Sequence, residues 1–426
     1  MVRKLTATAA LLALSCAPQT QVPMKVRALV LSSNGAYEPT EVELKTVTDI
    51  VSLEGKVARI QGNAILRLAS TDPEVQAAQT EEALARAMTK DEGRSITASY
   101  ITDPQGVLWP ADFHTWNLVT TYYNLERAWD YFTNVVAVPQ AELPQTTVHY
   151  FPEFVLADVS DQPQRDNALF YPPLKSFLVL PFDKLQKAPL ATNASILTHE
   201  YAHLVFNRRV YGGSALPAPL NNWAQSGDFT PGLNVIKALD EGLADFHAYV
   251  ASCQDVKRFG CNTRVLAYSF EDVAVNERDL ATPRCMGQLM YNNLTRSSVN
   301  VLPNLAYEVG TLLANALFMS TTTDAEKQTM ARAIVAAYSD TDAARPGFNQ
   351  LAASSLNDQT TFTLIKAAKA IIQHIPAGNV DLRQKVCTNF ATRLQIPVNA
   401  LTGNTEYDCP ASTTTTTDCP AINLNP

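Results

Sequence analysis

Charge is scarce in this sequence: 17% of its 426 residues are Asp, Glu, Lys or Arg, and the formal balance is -8. No block of like charges interrupts the chain, and with a pI near 5.3 this argues against nucleic acid as the main partner. No Cys-x-x-Cys pair occurs among the seven cysteines, which argues against a cysteine-rich zinc site. The chain has no nucleophile elbow, phosphate loop, dinucleotide fingerprint or internal repeat. Beyond the first sixteen residues no apolar run is long enough to span a membrane. What is present is an ordinary globular composition, 46% hydrophobic, in a chain long enough for two or three domains with a sizeable core.

Residues 1–16 read as a targeting segment. Met1-Val2-Arg3-Lys4 is a short basic start, and the apolar run "LTATAALLALS" that follows is too short for a mature transmembrane helix. It ends in small residues before Cys16, and "LALSC" resembles a bacterial lipoprotein signal, in which Cys16 is lipidated and becomes the mature N-terminus. A plain secretory signal cleaved nearby is the alternative. Both predict an exported protein, anchored in the cell envelope (outer membrane) through Cys16 or secreted. Six cysteines remain, an even number that an oxidising compartment joins into up to three disulfides. Cys253 and Cys261 flank a short segment suited to a closed loop, and Cys387 with Cys409 or Cys419 would tie down the C-terminal tail.

The pattern of apolar residues divides the remainder. Residues 17–110 form a β-rich N-terminal module: "VRALVLSS", "EVELKTVTDIVSL" and "KVARIQGNAILRL" alternate apolar and polar residues, and one helix is expected from Asp72 to Lys90. This module lacks histidine and is expected to be a binding module or a prodomain-like cover. Residues 111–263 carry an aromatic helix, further strands and the helices "ILTHEYAHLVFNRR" and "LNVIKALDEGLADFHAYVASC". Residues 264–405 are mainly helical, notably 304–320, 324–338, 356–374 and 380–393, and 406–426 is an extended tail. The expected fold class is α+β, an α/β lobe followed by a helical lobe with a cleft between.

The chemistry concentrates in two helices. His199 and His203 stand one helical turn apart, so both imidazoles leave the same face at a separation one tetrahedral zinc can bridge. Glu200 flanks that face and can take a proton from water without occupying a coordination position. The bland reading is a solvated helix with fortuitous histidines. The second helix supplies what the first lacks: Glu241 as third ligand and, four residues on, Asp245 to accept the free N–H of a ligating histidine. Gly242 permits close approach of another chain segment beside the ligand. His247, six residues from Glu241, faces another side of its helix and is assigned a structural role, as are His114, His149 and His374.

"HEYAH" followed by "EGLAD" resembles the gluzincin metallopeptidases, the group of thermolysin-like and fungalysin-like enzymes. The resemblance implies a zincin-like catalytic domain, one Zn2+ held by His199, His203 and Glu241, Glu200 as general base and Asp245 behind the ligands. "WNLVTTYYNLERAWDYF" is similar to the aromatic helix of the group, and "DNALFYPP" resembles its edge strand, which implies substrate contacts at Asn167 and Ala168. "YEVGTLLANALF" resembles the helix carrying the oxyanion donor. Thermolysin-like enzymes use histidine there, whereas this chain offers Tyr307. The segment between His203 and Glu241 is longer than in those enzymes and includes Tyr211 and Trp223, either of which is placed to shape the cleft. The likeness covers roughly residues 108–320.

The expectation is therefore a zinc-dependent endopeptidase of the cell envelope with a peptide or protein substrate. Its rivals are a non-catalytic zinc-containing surface lipoprotein and a hydrolase of cell-wall peptides.

Overall fold

The computed structural model describes residues 23–424 apart from 33, 183–187, 214–230, 255–259, 270–277, 296–303 and 356–362. Cys16, the expected lipidation site, and Trp223 lie outside the described residues. β1 (Met24–Leu31) and β2 (Tyr37–Leu44) pair antiparallel with Met24 opposite Leu44 and Leu31 opposite Tyr37. Their alternation places Val26, Ala28, Val42 and Leu44 on one buried face. Four short strands follow, β3 (Val47–Asp49), β4 (Glu54–Gly55), β5 (Ala58–Gly62) and β6 (Ile65–Leu68).

The helix expected from Asp72 to Lys90 is two helices, α1 (Pro73–Ala77) and α2 (Glu81–Met88). The break has a local cause. Thr80 is extended and its hydroxyl accepts from the Ala83 N–H, capping a second helix instead of continuing the first. β7 (Thr89–Asp91), β8 (Arg94–Ser95), β9 (Tyr100–Thr102) and β10 (Leu108–Pro110) complete this region.

α3 (Phe113–Asp130) begins at Asp112, whose carboxylate accepts from the Thr115 N–H, and its face of Leu118, Tyr122, Leu125 and Trp129 is buried. Next come β11 (Thr146–Tyr150), β12 (Glu153–Leu156), β13 (Ala168–Tyr171) and β14 (Ser176–Val179). The main sheet runs β13-β14-β11-β5-β4-β3, with β8 against β5. β14, β11 and β5 are parallel, and β13 closes one edge antiparallel to β14.

The sheet order crosses the boundary placed at residue 110. β5 lies beside β11 from Ala58 opposite Thr146 to Gly62 opposite Tyr150, and β6 lies beside β12. Buried Glu126 of α3 adds to this union by accepting the Lys45 and Thr46 N–H groups at 2.8 and 2.5 Å. The N-terminal region is β-rich, as expected, but its β5 is an interior strand of the main sheet and its β6 pairs with β12. The molecule is thus a mixed α/β protein with several sheets and a mainly helical second half.

That half comprises α4 (Ala194–Val210), α5 (Pro231–Cys253), α6 (Gln288–Thr295), α7 (Asn304–Ser320), α8 (Asp324–Tyr338), α9 (Phe348–Ser355), α10 (Leu364–Gln373), α11 (Val380–Arg393) and α12 (Val398–Leu401). Disulfides join Cys253 to Cys261, Cys387 to Cys409 and Cys285 to Cys419. One continuous apolar core runs from β1 to α12. Tyr201, midway between the two site histidines, stacks between Phe132 and Phe177 at ring distances of 5.7 and 5.8 Å. Each such pair contributes about 0.5–1.5 kcal/mol beyond area burial. The residue that separates the histidines therefore anchors their helix to the sheet and to the end of α3.

Two histidines are buried uncharged in this core. His247 is fully buried with Nδ1 2.9 Å from the Tyr131 hydroxyl, and burial pushes its pKa down to about 3. Burial, aided by Arg59, lowers His149 to about 4. Both groups protonate near their ordinary value of about 6.5 once unfolded. Their contribution is full above that value and falls as pH drops from about 6.5 towards 4 and 3, by about 1.4 kcal/mol per pH unit for each. Urea unfolding at several pH values should show the stability gap between wild type and His247→Gln narrowing from pH 7.5 to 4.5. A gap independent of pH would refute neutral burial of His247.

Candidate metal centre and active-site cleft

α4 is placed by its first residue. The Asn193 side chain accepts from the Ser195 and Ile196 N–H groups and donates to the carbonyls of Val265 and Ala267 and to the Ser269 hydroxyl. The cap thus satisfies a helix end and docks the following loop at once. One turn later α4 presents His199, Glu200 and His203 to the cleft.

α5 lies against α4 and α7 lies against α5. The α5–α7 crossing is set by two glycines. A Cβ on Gly242 would stand 2.3 Å from the Gly310 carbonyl oxygen, and one on Gly310 would stand 2.8 Å from the Ala238 carbonyl oxygen. Only glycine allows backbones that close. Gly310 comes so near that its Cβ would be 3.1 Å from Glu241 Cβ, so α7 forms the wall directly beside Glu241.

Each histidine is held from behind by a carboxylate of α5. His199 Nδ1 is 2.9 Å from Asp245 Oδ1, and His203 Nδ1 is 2.7 Å from Asp240 Oδ1. A carboxylate only accepts, so each Nδ1 carries the proton and each Nε2 turns a lone pair into the cleft. Those two Nε2 atoms are 3.0 Å apart, and Glu241 Oε2 lies 3.3 Å from one and 3.7 Å from the other. Glu241 Oε2 is also a buried oxygen with no hydrogen-bond partner among the described residues.

Three donor atoms facing one another in a buried space repel unless a positive charge, a proton or a metal ion, lies between them. Ligands at 2.0–2.1 Å in a tetrahedron stand about 3.3–3.4 Å apart, and the three separations bracket that value. Nitrogen and oxygen donors of this kind suit Zn2+. His199, His203 and Glu241 therefore form a buried group that could hold a metal ion.

Charge points the same way. Glu200, Asp240, Glu241 and Asp245 surround the histidines, and the guanidinium of Arg278 answers only part of that charge. Arg278 donates through Nε and Nη2 to both oxygens of Asp245, at 3.0 and 2.5 Å, and its Nη2 lies 3.6 Å from Glu241 Oε2. Burial pushes the Asp245 carboxyl upward, and Arg278 with His199 outweighs this and holds it below the usual carboxylate range. Burial opposes charge on His203, yet Asp240 and Glu241 raise its pKa to about 10, so without a metal ion a proton occupies the Nε2 position that the ion would take.

Glu200 has a different setting. Burial raises its pKa, while its Oε2 accepts the Phe170 N–H at 2.8 Å and its Oε1 lies 3.9 Å from His199 Nε2. The partner N–H belongs to edge strand β13. Asn167 gives its carbonyl to the Leu180 N–H, so by antiparallel alternation the backbone groups of Ala168 and Phe170 face away from β14. Asn167 and Ala168 both line the cleft, as expected. Tyr307 enters from α7 with the Arg278 guanidinium 4.7 Å from its ring centre, and it remains 37% exposed. The acidic surroundings, Glu241 first, push its pKa up.

The cleft has a volume of about 1140 Å³, and its lining among the described residues begins at Asp166. Tyr211 belongs to the lining. His114, His149, His247 and His374 do not; His114 lies beside the Tyr150 hydroxyl and His374 beside Asp340. Sequence reasoning missed Asp240 and Arg278. Asp240 carried a faint signal as the acid next to Glu241, whereas Arg278 sits in a loop 33 residues beyond Asp245, where no periodicity points to it.

Loss of either rear carboxylate should loosen the metal group. Asp245→Asn and Asp240→Asn are each expected to weaken zinc binding about 10–100-fold, as measured by competition with a chromogenic chelator. Unchanged affinity in both variants would show that the pairs do not orient the histidines. No protein-family model matches the chain, and no curated protein matches it, so the reading of this site rests on its geometry.

Proposed function

We propose that the protein is a zinc-dependent endopeptidase of the gluzincin group, with a zincin-like catalytic fold, exported and lipid-anchored at Cys16. The observation that carries this reading is the convergence of His199 Nε2, His203 Nε2 and Glu241 Oε2 within 3.0–3.7 Å of one another, with Glu200 alongside. These three residues would hold the ion. When bound, zinc supplies polarisation of a scissile carbonyl and acidification of water.

The remaining work falls to the chain. An extended substrate adds to the free edge of β13, where the Ala168 backbone is available for pairing. Glu200 takes the proton of the attacking water and passes it to the departing amine, and its burial-raised pKa suits both halves of that transfer. The Phe170 N–H fixes one carboxylate oxygen and leaves the other beside the histidines. Tyr307 and Arg278 present an O–H and N–H donors at the wall formed by α7, where negative charge would develop on the carbonyl oxygen. Glu200 also speaks against a purely structural zinc protein, because such a site needs no base and closes its fourth position.

Glu200→Gln preserves shape and the acceptor for the Phe170 N–H. It should retain one zinc per chain by elemental analysis and lose about 10²–10⁴-fold in peptide hydrolysis. Activity equal to wild type would overturn the assignment, and hydrolysis of muropeptides alone would favour the cell-wall reading. Cys16→Ser should move the protein from the membrane fraction to the soluble envelope fraction, and unchanged membrane association would rule out anchoring at Cys16.

A further inference from the structure

Two hydrogen-bond donors in the cleft wall have no acceptor. Lys237 lies on α5 one turn before Glu241, lines the same cleft, and makes no ion pair or side-chain hydrogen bond among the described residues. Thr311 lies on α7 one turn after Tyr307. It also lines the cleft, is 1% exposed, and its hydroxyl has no hydrogen-bond partner among the described residues. A buried hydroxyl without a partner costs free energy that a ligand can recover.

The two groups belong to one place. Gly310, the residue before Thr311, packs on the carbonyl of Ala238, the residue after Lys237, so the donors flank a single helix crossing. Asn207 and Tyr211, beyond His203 on α4, line the same cleft. Arg278, beside His199 and Tyr307, already holds Asp245 through Nε and Nη2. Nearby Asp240 is likewise occupied by His203, and Glu308 is exposed at the rim. An uncommitted ammonium and an uncommitted hydroxyl require an acceptor, and among peptide groups the best match is a carboxylate.

We propose that the cleft wall beside this crossing is a carboxylate subsite: substrates place an Asp or Glu side chain, or a free C-terminal carboxylate, against Lys237 and Thr311. This inference rests on the reading of the protein as a peptidase and adds the substrate class to it. Lys237 supplies the charge, and Thr311 supplies a directed O–H that fixes one oxygen. No covalent step involves either residue.

Matched fluorogenic peptides test it, with Gln replaced by Glu at each position around the cleaved bond and with the C-terminus free or amidated. Wild type should cleave one acidic peptide about tenfold faster in kcat/KM than its Gln counterpart, the size of one net charge-assisted contact. A gain at an internal position identifies a side-chain carboxylate, and a gain only with the free C-terminus identifies the terminal one. Lys237→Met should reduce the ratio to about one, Lys237→Glu should invert it in favour of Lys, and Thr311→Val should reduce it several-fold. Fluorescence anisotropy of the same peptides on Glu200→Gln, with and without Lys237→Glu, measures the preference without turnover. A wild type with no acidic preference, or a preference that survives Lys237→Glu, overturns the proposal. If wild type cleaves none of the peptides the peptidase reading fails, and the anisotropy ranking alone then decides the role of Lys237.

Discussion

The close crossing of α5 and α7 at Gly242 and Gly310 governs the geometry of the cleft. α5 carries Asp240, Glu241 and Asp245 within two turns, and α7 carries Tyr307 and Thr311 one turn apart. A side chain at either glycine would separate the backbones, and overpacking of this kind typically costs about 1–3 kcal/mol. The larger effect would be geometric. Moving α7 outward by the width of a methyl group withdraws Tyr307 from Arg278 and Thr311 from the cleft wall. Two residues without side chains thus determine where several functional side chains stand.

Around that crossing the electrostatics are arranged in pairs. Asp245 stands behind His199 and Asp240 behind His203, and each uses the proton on Nδ1 to turn Nε2 forward. Arg278 neutralises Asp245 through two bonds and so keeps a fully buried carboxylate charged. Glu241 Oε2 has no hydrogen-bond partner among the described residues, with Arg278 Nη2 3.6 Å away. The buried carboxylates and the three converging donor atoms express the same need for positive charge, which a divalent ion would meet.

How much of this was legible follows from the range over which each feature is determined. His199 with His203, and Glu241 with Asp245, are spacings of four within helices, so local periodicity sets their geometry and sequence suffices. Joining the two pairs required chemical reasoning, since a two-histidine site lacks a ligand. Gly242 was legible as a site of close approach, but Gly310 as its partner was not, because nothing local identifies which helix arrives. Arg278 shares no element with any other site residue. Pairing across residue 110 stayed hidden for a related reason: paired residues of β5 and β11 are 88 positions apart and the strands are parallel, and a sequence pattern reveals strands without their neighbours. The long helices 304–320 and 324–338 were read to the residue.

The Cys285–Cys419 disulfide has a bearing on how the protein matures. Cys285 lines the cleft, and its partner is made 134 residues later. Closing a loop of that length removes about 5 kcal/mol of unfolded-chain entropy in the polymer model. That wall of the cleft is therefore clasped only after most of the helical half has been synthesised and an oxidant has reached both thiols. Without this bond no covalent link ties Cys285 at the cleft to the C-terminal tail. Completion of the cleft wall is thus tied to oxidation of Cys419, the last cysteine of the chain.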